Sequence, residues 1–243
     1  MLSKRLLAIA NYITPGNRLV DVGTDHAYLP IYAVKQGICP SALAADVRPG
    51  PLEAAKRHIR EQGLECRPGI SAEGPETKPG DVTQNTAGGY VATRLSDGLH
   101  AIAPREGETL TISGMGGILI KSILSECPSV RDSFAEIILG PQSDVPLLRE
   151  WMSARFTIAE DTMIEEDGKY YPVIRYVPGG ETLTRTQLRY GKSRCETAGE
   201  YVKKEAAVKR QILERLPEGH ERRREILADL EVIEEALAEW RIL

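Results

Sequence analysis

The sequence predicts an α/β protein, a mostly parallel sheet completed by an antiparallel strand pair and followed by a helical hairpin. Three patterns predict it. Short apolar runs ending in glycine-containing or acidic turns alternate with helical stretches as far as Met152. Two strand patterns, residues 157–164 and 170–177, then follow across a polar turn. Beyond Gly180, apolar residues recur at four-three spacing. The runs add up to seven strands. A chain of 243 residues holds a full α/β domain and a small addition. The punctuation Pro178-Gly179-Gly180 sets the expected units at residues 1–180 and 181–243.

Leu19, Val20 and Val22 form the first run, of the kind that fills a sheet covered on both faces. Gly23 turns the chain sharply, and Pro30 fits the first turn of the helix that Ile31 to Val34 continue. A dinucleotide-binding turn would carry two further glycines, but Asp25 and Ala27 stand there, which argues against a pyrophosphate ligand. An acidic loop suits instead a cationic, hydroxylated ligand such as S-adenosylmethionine (SAM). The alternative is that Thr24 or Asp25 caps the helix, a contribution of about 0.5–2 kcal/mol.

The downstream junctions repeat the arrangement. Leu43-Ala44-Ala45-Asp46-Val47 ends a second strand in an acid, where a βαβ nucleotide unit places its ribose-binding carboxylate. A third strand, 91–95, runs into Ser96-Asp97-Gly98, with Asp97 positioned to accept an adenine amine. A fourth, Leu110-Thr111-Ile112-Ser113, ends in Gly114-Met115-Gly116-Gly117, and a fifth, 136–139, ends in Gly140-Pro141-Gln142. Ligands of open parallel sheets sit outside the carboxyl ends of the strands. The candidate cofactor residues are therefore Asp21, Gly23, Thr24, Asp46, Val47, Asp97, Gly98, Ser113 and Gly114.

Four stretches together resemble one family: Leu2-Ser3-Lys4-Arg5-Leu6, Asp21-Val22-Gly23-Thr24-Asp25-His26-Ala27-Tyr28-Leu29-Pro30, Thr111-Ile112-Ser113-Gly114-Met115-Gly116-Gly117 and Glu165-Glu166-Asp167-Gly168-Lys169-Tyr170-Tyr171. They are similar to the bacterial tRNA adenine-22 N1-methyltransferases, the TrmK family, over nearly the whole chain. The resemblance implies a class I SAM-dependent methyltransferase with a Rossmann-like sheet and a helical C-terminal domain. It implies SAM as cofactor, tRNA as partner and 1-methyladenosine as product. Residues 71–89 depart from the family as an apparent insertion. Rich in Gly, Pro, Thr and acids, they predict a mobile link, with a substrate lid as the alternative.

Adenine N1 already carries a lone pair, so the chemistry needs positioning more than a strong base. Because N1 lies on the pairing edge, the target base must be unpaired or extruded. Asp25, His26, Tyr28 and Met115, from the first and fourth turns, are the candidate pocket wall. The alternatives are a His26 buried to satisfy the loop backbone and a Tyr28 packed beneath its helix. Two other function classes stay open: a small-molecule or other RNA methyltransferase, and a SAM-binding regulator without turnover.

In the C-terminal region, Val202, Ala206, Lys209, Leu213 and Leu216 keep a coiled-coil spacing that Lys209 interrupts, and Ile226, Leu230, Ile233, Leu237 and Trp240 keep it throughout. Residues 185–224 carry twelve Lys and Arg against six Glu, whereas 225–243 carry one Arg against six acids. The net charge of −4 makes any RNA footprint local. Its candidates are Lys4, Arg5, Arg222, Arg223 and Arg224, with a solvated helical face as the bland reading of the basic run. Cys39, Cys66, Cys127 and Cys195 have no paired ligand spacing, so neither disulfides nor a metal site is expected. With no apolar run of membrane-spanning length and no export signal, the expectation is a cytoplasmic monomer.

Overall fold

The computed structural model describes residues 2–68, 89–192 and 194–240. Residues 71–88 of the apparent insertion lie outside them, as does any choice between link and lid. The first helix, α1 (Lys4–Tyr12), starts at Ser3, whose hydroxyl accepts from the Leu6 amide at 3.3 Å. There follow β1 (Leu19–Val22), α2 (Tyr28–Lys35), β2 (Ser41–Asp46), α3 (Pro49–Glu61), β3 (Glu65–Pro68), β4 (Tyr90–Leu95) and β5 (Thr109–Ser113). Next come α4 (Gly117–Glu126), α5 (Pro128–Arg131), β6 (Glu136–Gly140), α6 (Val145–Ser153), β7 (Phe156–Glu166) and β8 (Lys169–Pro178).

These strands form one sheet in the order β3-β4-β2-β1-β5-β6-β8-β7, parallel except for β8, which pairs antiparallel with both β6 and β7. This is the expected mostly parallel sheet with one strand more than the sequence pattern counted. The addition is β3, which pairs with β4 at the sheet edge. Four residues long, with Glu65 and Arg67 alternating with Cys66, it carries no apolar run. Edge strands are commonly short and charged, so the pattern that finds buried strands passes over it.

Successive residues of a strand face opposite sides. Leu19, Ala42, Ala44 and Ile138 pack beneath α1, α2 and α3 with Ile9, Ala33, Val34 and Ile59. Val20, Leu110, Ile112 and Leu139 pack under α4, α5 and α6 with Ile120, Leu124, Val130 and Leu148. Covering both faces is what leaves β1 and β2 buried along their whole length.

Beyond Pro178 lie α7 (Arg185–Tyr190), α8 (Glu196–Arg215) and α9 (Arg222–Glu239). The last two pair antiparallel around Val202, Ala206, Ile226, Leu230 and Ile233, as the spacing predicts. Lys209, the interruption in the seam, ion-pairs with Asp229 of the opposite helix. Arg189 joins the pair, 2.6 Å from both Asp229 and Glu205, so the polar break is answered across three helices. The fully buried Arg149 of α6 fastens this unit to the sheet. Its guanidinium meets Asp161 of β7 at 3.0 Å and donates to the carbonyls of Leu188 and Arg189 at 3.2 Å.

Candidate active site

The carboxyl ends of the strands are laced into one rim. Thr24 N donates to Ala45 O at 3.0 Å, Ser96 N to Asp46 O at 2.9 Å, Gly114 N to Gly140 O at 3.1 Å and Gln142 N to Met115 O at 2.9 Å. The rim is conspicuous for what it leaves in water. Of nine large apolar side chains exposed among the described residues, six stand on it: Tyr28, Val47, Leu95, Ile118, Leu119 and Leu147. Apolar groups gathered at one edge mark a ligand surface rather than random exposure.

The first turn is backbone-strained. His26 and Ala27 both adopt left-handed conformations, with φ of 53° and 56°, each costing about 1–3 kcal/mol in a non-glycine residue. His58 of α3 holds the turn. Its Nδ1 lies 2.9 Å from the His26 carbonyl, which only accepts, so Nδ1 carries the proton. The Tyr28 ring lies edge-on to His58 at 4.9 Å and tilted 5.5 Å from His26.

This geometry revises the local alternatives. Ala27 is the N-cap of α2 and no side chain caps it, so neither Thr24 nor Asp25 does that work. Tyr28 is 44% exposed instead of packed beneath its helix. The histidine that satisfies the loop backbone is His58, not His26. Sequence pattern could not find it, because His58 lies 32 residues away on another helix.

Gly23 is required by its backbone, which turns at φ of 75° in the left-handed region. A Cβ on it would come within 2.0 Å of the Met115 methyl, so Met115 of the fourth turn lies directly on the glycine of the first. The structure thus brings Asp25, His26, Tyr28 and Met115 to one place. Asp21 is buried in β1 and accepts from Thr111 Oγ1 at 2.6 Å. Burial pushes its carboxyl above the usual range, the Thr111 and Thr24 hydroxyls oppose that rise, and the Asp46 charge adds to it.

Asp46 is buried at the end of β2, between Val47 and Leu95, each 55% exposed. Its Oδ1 accepts from the Arg48 amide at 2.9 Å, while Oδ2 makes no hydrogen bond among the described residues. A buried carboxylate with an unused acceptor between two exposed apolar side chains fits a ribose diol and an attached flat base. Asp97 and Gly98 follow β4 on the same rim, Asp97 exposed, while Ser113 ends β5 and Gly114 follows it.

Chain comparison agrees with this geometry. A family model described as a methyltransferase domain matches residues 2–73 and 70–174. The chain belongs to that methyltransferase family. A Bacillus subtilis tRNA (adenine(22)-N(1))-methyltransferase is 34% identical over 174 residues, which is 71% of this chain and 63% of that relative, so the match spans less than two thirds of its length. Among solved structures, Streptococcus pneumoniae Sp1610, a candidate tRNA 1-methyladenosine-22 methyltransferase, superposes with a TM-score of 0.83 at 30% identity. It covers 98% of this chain and 100% of its own. M. capricolum TrmK, solved with S-adenosylhomocysteine, gives a TM-score of 0.78 at 25% identity, covering 98% of each chain.

The RNA candidates are placed unequally. Lys4 lies 3.5 Å from Glu165 and Arg5 stacks 4.8 Å over the Tyr171 ring, both at the β7–β8 hairpin. Arg222 and Arg224 are exposed. Arg223 is not free in the same way: its Nη1 donates to the carbonyls of Leu213 and Leu216 at 2.8 and 2.7 Å. It ties down the C-terminal end of α8, where carbonyls lack intrahelical partners. Among the described residues no group of three or more His, Cys, Asp or Glu could hold a metal, and no helix is long and apolar enough to cross a membrane.

Proposed function

We propose that this chain is a SAM-dependent enzyme that methylates N1 of adenine 22 in tRNA. The observation that carries this reading is the extent of the structural likeness. It runs through the helical hairpin as well as the sheet, and a methyltransferase for a small molecule has no need of a basic hairpin. The protein acts in the cytoplasm, as a monomer.

In this reading Asp46 accepts the ribose hydroxyls, Val47 and Leu95 enclose the adenine of the cofactor, and Asp97 accepts its amine. The backbone of Gly23, Thr24, Gly98, Ser113 and Gly114 lines the remaining wall, with Asp21 buried behind it. SAM, when bound, supplies a methyl group activated by its sulfonium. The chain's own contribution is positioning. Tyr28 offers an exposed ring, held by His58, against which the extruded target base packs. Met115 closes the opposite side. Neutral adenine N1 needs no base to become a nucleophile, so His26 shapes the turn without taking a proton. The base gains positive charge on methylation, and Asp25 in the same turn supplies negative potential.

Incubation with labelled SAM and unmodified tRNA carrying adenine or guanine at position 22, followed by nucleoside analysis, tests this directly. 1-Methyladenosine formed only in the adenine-22 tRNA is the expected result. SAM binding without methylation of any tRNA favours a regulator or a small-molecule enzyme instead.

A further inference from the structure

The motif Glu165-Glu166-Asp167-Gly168-Lys169-Tyr170-Tyr171 takes no part in the cofactor crevice. It forms the tip of the β7–β8 hairpin, turning through Asp167 and Gly168 at φ of 53° and 75°, the left-handed pair that tight hairpins need. Because Leu139 pairs with Ile174 in antiparallel register, the start of β8 runs on past Gly140, beyond the edge that bears the crevice. Two other elements converge on the tip. The Lys4 amide donates to Glu166 Oε1 at 2.7 Å, and Tyr201 of α8 sets its ring 5.1 Å from that of Tyr170.

Between α1, the hairpin tip and α8 lies an open cleft of about 580 Å³, lined by Lys4, Glu165, Tyr170, Glu200 and Lys204. That volume falls within the roughly 300–1,000 Å³ typical of small-ligand sites. The Lys204 ammonium stands 5.2 Å from the centroid of the Tyr170 ring and has no carboxylate partner among the described residues. Lys4 and Glu165 meet at 3.5 Å with the lysine well exposed and the glutamate partly so, a pairing weak enough to exchange for another anion.

We propose that this cleft holds one unpaired nucleotide of the tRNA other than the target, an inference that rests on the tRNA reading above. Three chemistries meet there. The Tyr170 ring gives a stacking face to a base once Lys204, which stands over it, turns to a phosphate. Lys4 and Lys204 are the cations for that phosphate, and Glu165 and Glu200 accept from amines on a base edge. A bare phosphate has no use for the ring, and a paired base cannot present its face to it. The cleft lies beyond the same edge as the crevice, so a nucleotide held there fixes the path of the strand leading to the target. Tyr170 is then a positioning residue.

The test compares Tyr170→Leu, Tyr170→Phe and Lys204→Gln. It measures SAM binding, tRNA binding over a range of salt, methylation kinetics, and quenching of 2-aminopurine placed in single-stranded positions of the tRNA. Tyr170→Leu is expected to raise the tRNA Kd and KM about tenfold or more, with the loss in KM rather than kcat, SAM affinity kept and quenching gone. Tyr170→Phe restores the ring and should recover most of the affinity and the quenching. Lys204→Gln should reduce the salt slope by about one. A folded Tyr170→Leu protein that binds and methylates tRNA like the parent overturns the proposal. Should that variant not fold, the double change Lys4→Gln and Lys204→Gln decides, and an unaltered tRNA Kd and salt slope overturns it. A parent protein that neither binds nor methylates tRNA overturns the tRNA reading itself, and the cleft's ligand with it.

Discussion

Where the parallel strands begin, the Glu136 carboxylate is saturated, whereas where they end the Asp46 carboxylate keeps an oxygen unused. Glu136 accepts from the Thr14 amide at 2.8 Å, the Thr14 hydroxyl at 2.7 Å and Thr109 Oγ1 at 2.6 Å, and meets Arg175 at 3.0 Å. Nearby, Glu108 receives the Arg18 amide at 2.8 Å and its guanidinium at 2.6 Å. At the opposite edge six large apolar side chains stand in water and three non-glycine residues, His26, Ala27 and Asp144, hold left-handed backbone. One edge satisfies its own groups and the other leaves them for a ligand. Stability and binding are thus separated by the length of a strand.

The largest effect that sharpens this contrast is expected at the closed edge. Glu136→Ala leaves Thr14, Thr109 and Arg175 without their shared acceptor, and removing one partner of a buried pair costs about 3–5 kcal/mol. The melting temperature should fall by about 10 °C, with SAM affinity of the folded protein kept. The effect has a pH signature. Burial pushes the Glu136 carboxyl up, but the hydrogen bonds from Thr109 and Thr14 and the Arg175 guanidinium outweigh it and hold the group below its ordinary value of 4.5. A carboxyl lowered by folding stabilises fully above its unfolded pKa, and that stability is lost as pH falls through the folded one. Urea melts from pH 7 down to pH 3 should show this decline in the parent and a shallower one in Glu136→Ala.

At the open edge, His58 is the point to break. His58→Leu frees the His26 carbonyl and the Tyr28 ring, and should slow methylation about 10- to 100-fold while costing little thermal stability. His58→Asn keeps a donor near the Nδ1 position and should recover much of the rate. Equal rates in the two variants would leave the hydrogen bond without a role.

Much of both edges was legible because burial and turning leave strong marks. Leu19, Val20 and Val22 are apolar because helices cover both faces, and Gly23 is glycine because the turn there takes a left-handed φ of 75°. The coiled-coil seam read correctly down to its break at Lys209, since the four-three spacing follows from helix geometry. What did not read was long-range or unpatterned. His58 acts on a loop 32 residues away, β3 lacks an apolar run, and nothing in Arg222-Arg223-Arg224 sets its middle residue apart.

The smallest expected effects separate those arginines. Arg223→Ala removes the donor from the Leu213 and Leu216 carbonyls at the end of α8, so it should lower stability by about 1–3 kcal/mol in thermal melts. Arg222→Ala with Arg224→Ala should leave melting unchanged and flatten the salt dependence of tRNA binding by about two. Melting losses of the same size in both would argue that the three act alike.

The separation of the edges is tested most directly by titrating SAM into Asp46→Ala by calorimetry. If Asp46 is the ribose acceptor, the folded variant binds SAM about 5- to 150-fold more weakly than the parent, the loss of a charge-assisted hydrogen bond worth about 1–3 kcal/mol. A folded Asp46→Ala protein with the parent's SAM affinity would contradict the account and remove the cofactor from this edge of the sheet.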